Sequence, residues 1–319
     1  MTADTKRGGS AISVVAIGEC MVELSGTADR TFRLAFGGDT LNTAVYLARL
    51  GVPVDYVTAL GDDSLSDAMV EEWESEEVGT GKVLRMPGRQ PGLYMIERDE
   101  TGERRFRYWR REAPARDFFA VADDTLLASL ARYDWLYLSG ITLSLYDEGS
   151  RQRLFSVIDA ARKRGGRVAF DGNYRPRGWA DSAAARHAFA GMMSRIDLAM
   201  PTFEDENLLF GDGEPVATAR RYADAGVEEI VVKDGARGCV VSCGGVTVHV
   251  PAFPGIAPVD TTAAGDSFNA AYLAARIHGR PEKEAAISGH RLAGAVIQRP
   301  GAIIAREAMP VELVAKPTN

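Results

Sequence analysis

Short apolar runs alternate with amphipathic segments along most of the chain. Such runs, bounded by polar residues or glycine, are typical of strands buried on both faces of a sheet. They lie at residues 12–18, 54–60, 135–138, 167–170, 198–200 and 229–233. Between them, apolar residues recur at helical spacing at residues 40–50, 67–77, 149–164 and 218–225. This alternation predicts an α/β fold, with a mainly parallel central sheet between two layers of helices.

A second pattern, typical of half-exposed strands, predicts a small β lid. Residues 31–36 alternate polar and apolar side chains, and residues 92–98 and 103–111 flank a polar turn at 99–102. Two such runs joined by a glycine-containing turn are typical of a hairpin. We therefore predict a single domain over residues 1–319, with a lid formed by insertions at about 22–36 and 91–111.

Polar residues and glycines follow most of the predicted strands. In a parallel α/β sheet, ligands collect where the strands end. The residues at these ends are Glu19, Gly61, Asp62, Ser139, Gly140, Asp171, Gly172, Asn173, Pro201, Thr202, Asp234 and Gly235. They are the first candidates for a binding site.

Composition narrows the possible partners. The 319 residues carry a formal net charge of -7 and are 46% hydrophobic. An acidic chain without a basic footprint argues against nucleic acid or an anionic membrane surface. No run approaches the roughly 20 apolar residues that cross a bilayer, and residues 1–10 lack the apolar core of a secretion signal. We expect a cytoplasmic location.

The most specific motif is the stretch at residues 260–269, DTTAAGDSFN, which leads into a helix rich in small residues. Open amide groups and the dipole at a helix start favour an anion such as a phosphoryl group. Asp266 falls in the first turn, where the dipole is expected to keep it ionised and able to accept a proton from a hydroxyl group. The alternative is an ordinary helix cap made by Asp260, Thr261 or Thr262.

This motif resembles the C-terminal motif of the PfkB carbohydrate kinases, and residues 37–42, GGDTLN, resemble their N-terminal glycine pair. The resemblance implies a ribokinase-like fold, Asp266 as catalytic base, and phosphate binding by the backbone of Ala263, Ala264 and Gly265. Ala263 replaces the usual family glycine, and its methyl group disfavours positive φ.

Within the family, the sequence is most similar to the bacterial kinases of 2-keto-3-deoxygluconate. The resemblance implies ATP-dependent phosphorylation of the C6 hydroxyl of this sugar acid. It assigns substrate contacts to Gly37, Gly38, Asp39, Asn42, Tyr94, Tyr108, Arg110 and Arg175. A guanidinium group can hold a carboxylate with two parallel hydrogen bonds. The alternatives are another PfkB sugar kinase, of the fructokinase or ribokinase type, and a non-catalytic sugar-binding regulator.

The resemblance also implies ATP, Mg²⁺ and K⁺ as cofactors. Nucleotide contacts fall on Asn173, Lys233, Asp234, Gly235, Gly238, Gly265 and His290. A lone histidine in a helix is more often structural, and that alternative stays open for His290. Asp205 corresponds to a magnesium element, and Asp260 and Thr262 to a site for the monovalent cation. A homo-oligomer, such as a dimer formed through the lid, is expected.

Overall fold

A computed structural model describes residues 11–26, 31–98 and 104–314. The turn predicted at residues 99–102 and the segment 1–10 lie outside the described residues. Within them, the helices are all too short or too polar to span a bilayer.

The described elements include the strands and helices that the sequence pattern predicts, together with several that it does not predict. The strands are β1 (Val14–Ile17), β2 (Met21–Gly26), β3 (Phe32–Gly37), β4 (Val54–Val57), β5 (Ala59–Leu60), β6 (Leu84–Arg85), β7 (Leu93–Arg98), β8 (Arg104–Trp109), β9 (Trp135–Ser139), β10 (Arg167–Asp171), β11 (Leu198–Ala199), β12 (Glu229–Lys233), β13 (Cys239–Cys243) and β14 (Val246–Val250). The helices are α1 (Asp39–Arg49), α2 (Ser64–Ser75), α3 (Phe118–Val121), α4 (Asp124–Leu130), α5 (Gly140–Leu145), α6 (Glu148–Lys163), α7 (Ser182–Met193), α8 (Phe203–Phe210), α9 (Pro215–Asp224), α10 (Ala264–Ile277), α11 (Glu282–Val296) and α12 (Val311–Val314).

The central sheet has eight strands in the order β14-β13-β12-β11-β10-β9-β1-β4. The neighbouring strands β12, β11, β10, β9, β1 and β4 are parallel to one another, whereas β13 and β14 add an antiparallel pair at one edge. The side chains of β1 alternate between two separate cores: Val14 and Ala16 pack into one, and Val15 and Ile17 into the other. Because each face of the sheet has its own core, the predicted three-layer α/β/α fold is confirmed.

The lid is a separate four-stranded sheet in the order β3-β2-β7-β8. Its register gives it two different faces. We call the face that carries Glu23, Gly37, Tyr94 and Tyr108 the inner face. The opposite, outer face carries three large apolar side chains that are 45% (Phe32), 50% (Leu34) and 54% (Trp109) exposed.

Two features of the central sheet differ from the sequence prediction. The strand predicted at residues 54–60 divides at Thr58, because Ala59 leaves the central sheet and pairs with Leu84. The edge strands β13 and β14 were not predicted. Their signal was Gly244-Gly245, whose φ angles of 59° and 80° form a tight hairpin turn between them.

Candidate active site

The start of α10 forms one wall of the candidate site. Ala263, just before the helix, adopts a left-handed backbone with φ 58° and ψ 17°. This conformation suits glycine and is unfavourable for a residue with a β-carbon. Ala263 has no side-chain group that could cap the helix. The Ala264 amide donates to the Thr261 carbonyl at 3.2 Å, and an anion could accept hydrogen bonds from the amides that follow.

Asp266 lies in the first turn of α10, as the sequence predicts. It is 9% exposed, and its Oδ2 accepts a hydrogen bond from Asn42 Nδ2 at 2.8 Å. Burial, reinforced by the Asp39 carboxylate, raises the pKa of Asp266 to about 8, although the Asn42 hydrogen bond opposes the shift. Burial therefore opposes the ionised form that the helix dipole was expected to favour, and the ionised state of Asp266 stays a prediction.

Lys233 supplies a buried positive charge beside the helix start. A β-carbon on Gly265 would lie 3.5 Å from Lys233 Nζ. The ammonium group donates to Asp171 Oδ2 at 3.1 Å and to Asn269 Oδ1 at 2.9 Å. Asn269 donates in turn to Asp171 Oδ2 at 2.7 Å and to the Tyr137 hydroxyl at 3.0 Å. These bonds hold Lys233 between β10 and α10.

Two residues of this network, Tyr137 and Asn269, were missing from the predicted site, and Asp171 was named only as a strand-end candidate. Asp171 and Asn269 had a signal, since Asp171 ends a strand and Asn269 closes the 260–269 motif. Tyr137 had no such signal, because in the sequence it looks like any other buried side chain of β9.

The glycine pair before α1 allows two close approaches of the backbone. A β-carbon on Gly37 would overlap the Tyr94 hydroxyl, and one on Gly38 would overlap the Glu19 carbonyl oxygen. The amide of Asn42 donates to the Gly38 carbonyl at 2.8 Å. The pair therefore holds the start of α1 against both the lid and the end of β1.

Asp39 connects α1 with the loop after β10. Its Oδ2 accepts a hydrogen bond from Asn173 Nδ2 at 2.7 Å, and Asn173 has a positive φ of 33°. Burial raises the pKa of Asp39; a hydrogen bond from Ser139 opposes the rise and the Asp171 carboxylate adds to it. Asp39 is thus part of a group of interacting carboxylates, and the nucleotide contact assigned to Asn173 stays a prediction.

The inner face of the lid brings Tyr94 and Tyr108 together. Their ring centroids are 6.0 Å apart, and Tyr108 is exposed. The Tyr94 hydroxyl donates to the carboxylate of Glu23, a neighbour that the sequence analysis did not select. The alternation of side chains along β2 could have indicated Glu23, since it puts this residue on the inner face.

Both predicted carboxylate-binding arginines contact acidic side chains. Arg110, after β8, forms an ion pair with Glu19, after β1. Arg175 Nη1 donates to both carboxylate oxygens of Asp205 at 2.9 Å. Burial raises the pKa of Asp205, and the Arg175 charge opposes the rise. Asp205 was assigned to magnesium and Arg175 to the substrate, but the two side chains form one ion pair.

The loop after β12 turns tightly on two glycines. Gly235 and Gly238 have φ angles of 55° and 101°, and the amide of Asp234 donates to the Gly238 carbonyl at 2.8 Å. The Asp234 carboxylate accepts two hydrogen bonds from Arg237, at 2.6 and 2.7 Å. These contacts account for the turn itself, and its nucleotide contact stays a prediction.

His290 makes structural contacts on α11. Its Nε2 is 3.1 Å from the Val250 carbonyl oxygen, and its ring meets that of Phe268 edge-on at 5.1 Å. Burial lowers the pKa of His290, which favours the neutral ring. The adenine contact predicted for it is untested by this geometry.

Asp260 holds the loop that precedes α10. Its Oδ1 accepts from the amide of Thr262 at 2.9 Å, and its Oδ2 accepts from the amide of Gly301 at 3.0 Å. The carboxylate therefore joins the motif to the C-terminal segment. Its oxygens are also the ligand type that a hard cation prefers.

Known proteins resemble this chain in sequence and fold. The 2-dehydro-3-deoxygluconokinase of Dickeya dadantii (strain 3937) is 47% identical over 306 residues, covering 93% of this chain and 98% of that protein. A fructokinase of Klebsiella pneumoniae is 30% identical over 274 residues, covering 85% and 87%. The crystal structure of a fructokinase with bound ATP from Xylella fastidiosa superposes with a TM-score of 0.79 at 24% identity, covering 95% and 96%.

The family assignment rests on most of the chain. Residues 11–309 match the profile described as pfkB family carbohydrate kinase. The chain belongs to the pfkB family of carbohydrate kinases.

Proposed function

We propose that this protein is an ATP-dependent kinase that phosphorylates the C6 hydroxyl of 2-dehydro-3-deoxygluconate, also called 2-keto-3-deoxygluconate. The observation that carries the proposal is the 47% identity with the Dickeya kinase of that name over 93% of the chain. The fructokinase is less similar, at 30% identity. The Asp266 cluster supports a kinase over a sugar-binding regulator, since a binder has no use for a buried base.

The proposed reaction starts with the sugar between the lid and α1. Gly37, Gly38, Asp39 and Asn42 contact its hydroxyl groups. Asp266 takes the proton of the C6 hydroxyl while that oxygen forms a bond to the γ-phosphorus of ATP and the bond to the ADP oxygen breaks. Since the raised pKa of about 8 leaves Asp266 largely protonated at neutral pH, positive charge brought near it must favour the ionised form.

Lys233 and the start of α10 stabilise the transferred group. The Gly265 amide and the Lys233 ammonium group offer hydrogen bonds and positive charge to the phosphoryl oxygens. The Ala264 amide joins them in this proposal by leaving the Thr261 carbonyl, to which it donates at 3.2 Å. The loop of Asp234, Gly235 and Gly238 contacts the nucleotide in this proposal, together with Asn173 and His290 on the strength of the family resemblance.

Two cations complete the proposal. Asp205, as a hard oxygen donor, fits Mg²⁺, which keeps most of its waters and neutralises phosphate oxygens. Arg175 holds both oxygens of this carboxylate, so the ion would replace that contact. A potassium ion beside Asp260 and Thr262 rests on the family resemblance alone.

The outer face of the lid supports a homodimer. Phe32 and Leu34 on the edge strand β3, and Trp109 on the opposite edge strand β8, are exposed apolar side chains of this face, and exposed apolar side chains of this kind are typical of protein interfaces. A second copy that packs its outer face on this one would bury them all by two-fold symmetry.

Replacing Asp266 by Asn tests the base. We expect sugar binding to persist and kcat to fall by roughly 10²–10⁴. In the wild-type protein, kcat/KM is expected to rise with pH through an apparent pKa near 8, the value for Asp266 in its buried site. A pH profile and single-turnover kinetics measure both. Near-normal turnover in the variant would remove Asp266 from the role.

The raised pKa of Asp266 also makes a stability prediction. Because its folded pKa lies above the ordinary value of 3.8, this group stabilises the fold most below pH 4 and loses that contribution as the pH rises towards 8. Asp266→Asn is therefore expected to have a higher free energy of unfolding than the wild type at pH 8. Urea denaturation at pH 8 and pH 5 tests this, and a gap that shrinks at pH 8 would contradict it.

Ala263→Gly tests the backbone strain. Removing the β-carbon relieves a left-handed conformation worth about 1–2 kcal/mol, partly offset by the entropy of glycine, about 0.5–1 kcal/mol. We expect a net gain of roughly 0.5–1 kcal/mol in the free energy of unfolding. The matched control is Ala264→Gly, one residue later and helical, which is expected to lose stability. Equal losses in both variants would argue against strain at Ala263.

Arg175→Ala tests recognition of the acid. We expect the KM for 2-dehydro-3-deoxygluconate to rise at least about tenfold, in keeping with the loss of a charge-assisted pair, and the KM for a neutral acceptor such as fructose to change much less. An ATP-coupled assay with the acid, its galactonate epimer, fructose, ribose and adenosine measures this and tests the proposed substrate of the wild type. Equal losses on acid and neutral sugars would contradict the role of Arg175.

Leu34→Asp tests the dimer. A charge on the edge strand β3, beside the exposed Phe32, is expected to shift the protein from dimer to monomer in sedimentation velocity. Val246→Asp is the matched control, because Val246 is also exposed and apolar but lies on β14, at the far edge of the central sheet. A wild-type monomer, or dissociation by both variants, would count against the lid interface.

A further inference from the structure

All four connections between the lid and the central sheet meet at Glu19. Glu19 itself leads through Cys20 into β2. Gly38 follows β3, and a β-carbon there would overlap the Glu19 carbonyl oxygen; one on Gly92, just before β7, would lie 3.1 Å from Glu19 Oε1. Arg110, just after β8, forms an ion pair with the Glu19 carboxylate. One residue therefore touches every segment by which the lid is attached.

The carboxylate of Glu19 depends on Arg110. Its side chain is 1% exposed, and the ion pair with Arg110 is its close polar contact among the described residues, where neither oxygen has any other hydrogen-bond partner. Burial raises the pKa of Glu19, and the Arg110 charge, followed by that of Arg116, opposes the rise. A buried carboxylate without its partner is strongly unfavourable. Glu19 consequently restrains the position of Arg110.

Arg110 is more exposed than Glu19, although its Nε and Nη2 atoms are buried, which leaves Nη1 as the nitrogen for a second partner. Strand alternation puts it on the same side of the lid as Tyr108, towards the inner face. Its side chain is 21% exposed, compared with 1% for Glu19. A guanidinium group has five N–H donors along more than one edge. One edge can therefore bind Glu19 while another binds a second carboxylate.

We propose that Glu19 is a positioning residue for recognition of the acid substrate. It fixes Arg110 at the junction of lid and central sheet, so that a preset guanidinium edge meets the carboxylate of the sugar. The proposal rests on the proposed function, since it requires a substrate with a carboxylate. Glu19 contacts Arg110 and does not itself contact the reacting atoms.

Glu19→Gln tests the proposal, because it keeps the size of the side chain and removes its charge. We expect the KM for 2-dehydro-3-deoxygluconate to rise roughly tenfold, as a charge-assisted hydrogen bond becomes a neutral one, while kcat and the KM for ATP change less than about threefold. A purely structural defect would lower kcat and disturb the ATP site as well.

A double-mutant cycle asks whether Glu19 acts through Arg110. In the Arg110→Ala background, Glu19→Gln is expected to raise the KM no further and to increase the Tm, since it removes an unpaired buried charge. If Arg110→Ala does not fold, Arg110→Lys replaces it, because it keeps a positive charge for Glu19. Independent, multiplying effects on KM would overturn the proposal.

The matched control is Glu97→Gln. Glu97 also lies in the lid and pairs with an arginine, Arg107, at 2.8 Å, but this pair is 39% and 63% exposed. We expect its KM to match the wild type. An equal rise for Glu97→Gln, or no rise for Glu19→Gln, would overturn the role of Glu19. If the wild type itself fails to phosphorylate the acid, the proposed function fails first, before any variant is compared.

Discussion

The site is organised around a carboxylate that is buried, although burial disfavours its ionised form. Asp266 stands at a helix start, whose dipole favours negative charge, yet burial and the Asp39 carboxylate raise its pKa to about 8. The Asn42 hydrogen bond and the Lys233 charge act in the opposite direction. A base for a sugar hydroxyl benefits from this balance, because a pKa near the working pH combines availability with proton affinity.

Short sequence motifs indicated the candidate site residues, whereas the hydrophobic pattern did not indicate the contacts that support them. Local sequence is enough to predict the position of Asp266, the glycine pair and the three layers, because a helix start or a buried strand has a recognisable pattern of residues. The Lys233–Asp171 pair joins residues that are 62 positions apart in the chain, and only the order of strands brings them together. The left-handed backbone of Ala263 had one signal, the family glycine that it replaces, since alanine itself disfavours a positive φ. The raised pKa of Asp266 could not be predicted from the motif, because it depends on burial.

The lid has two faces with different chemistry, because side chains alternate along its strands: in β8, Phe106 and Tyr108 share one face, whereas Arg105, Arg107 and Trp109 share the other. Its inner face places Glu23, Tyr94 and Tyr108 on one side, whereas its outer face carries Phe32, Leu34 and Trp109. The outer face packs in part against the domain, since Val22 belongs to one of its cores, whereas Phe32, Leu34 and Trp109 stay exposed. In the proposed function the inner face meets the substrate and the exposed part of the outer face meets a second copy, so each requirement constrains alternate residues of the same strands.

Acidic residues already neutralise the two arginines that would bind the substrate. Arg110 contacts Glu19, and Arg175 contacts Asp205. When a sugar acid binds, its carboxylate must share or displace these partners, so the gain in binding free energy is the difference between two ion pairs. Such an exchange of ion pairs gives modest affinity but strong discrimination, because a neutral sugar has no carboxylate to replace the partner that the arginine loses. Glu19 is buried and cannot be released into water, whereas Arg175 is largely exposed. In the proposed recognition of the acid, Arg110 would therefore share its partner and Arg175 would exchange its own, so that the first is the fixed and the second the adjustable contact.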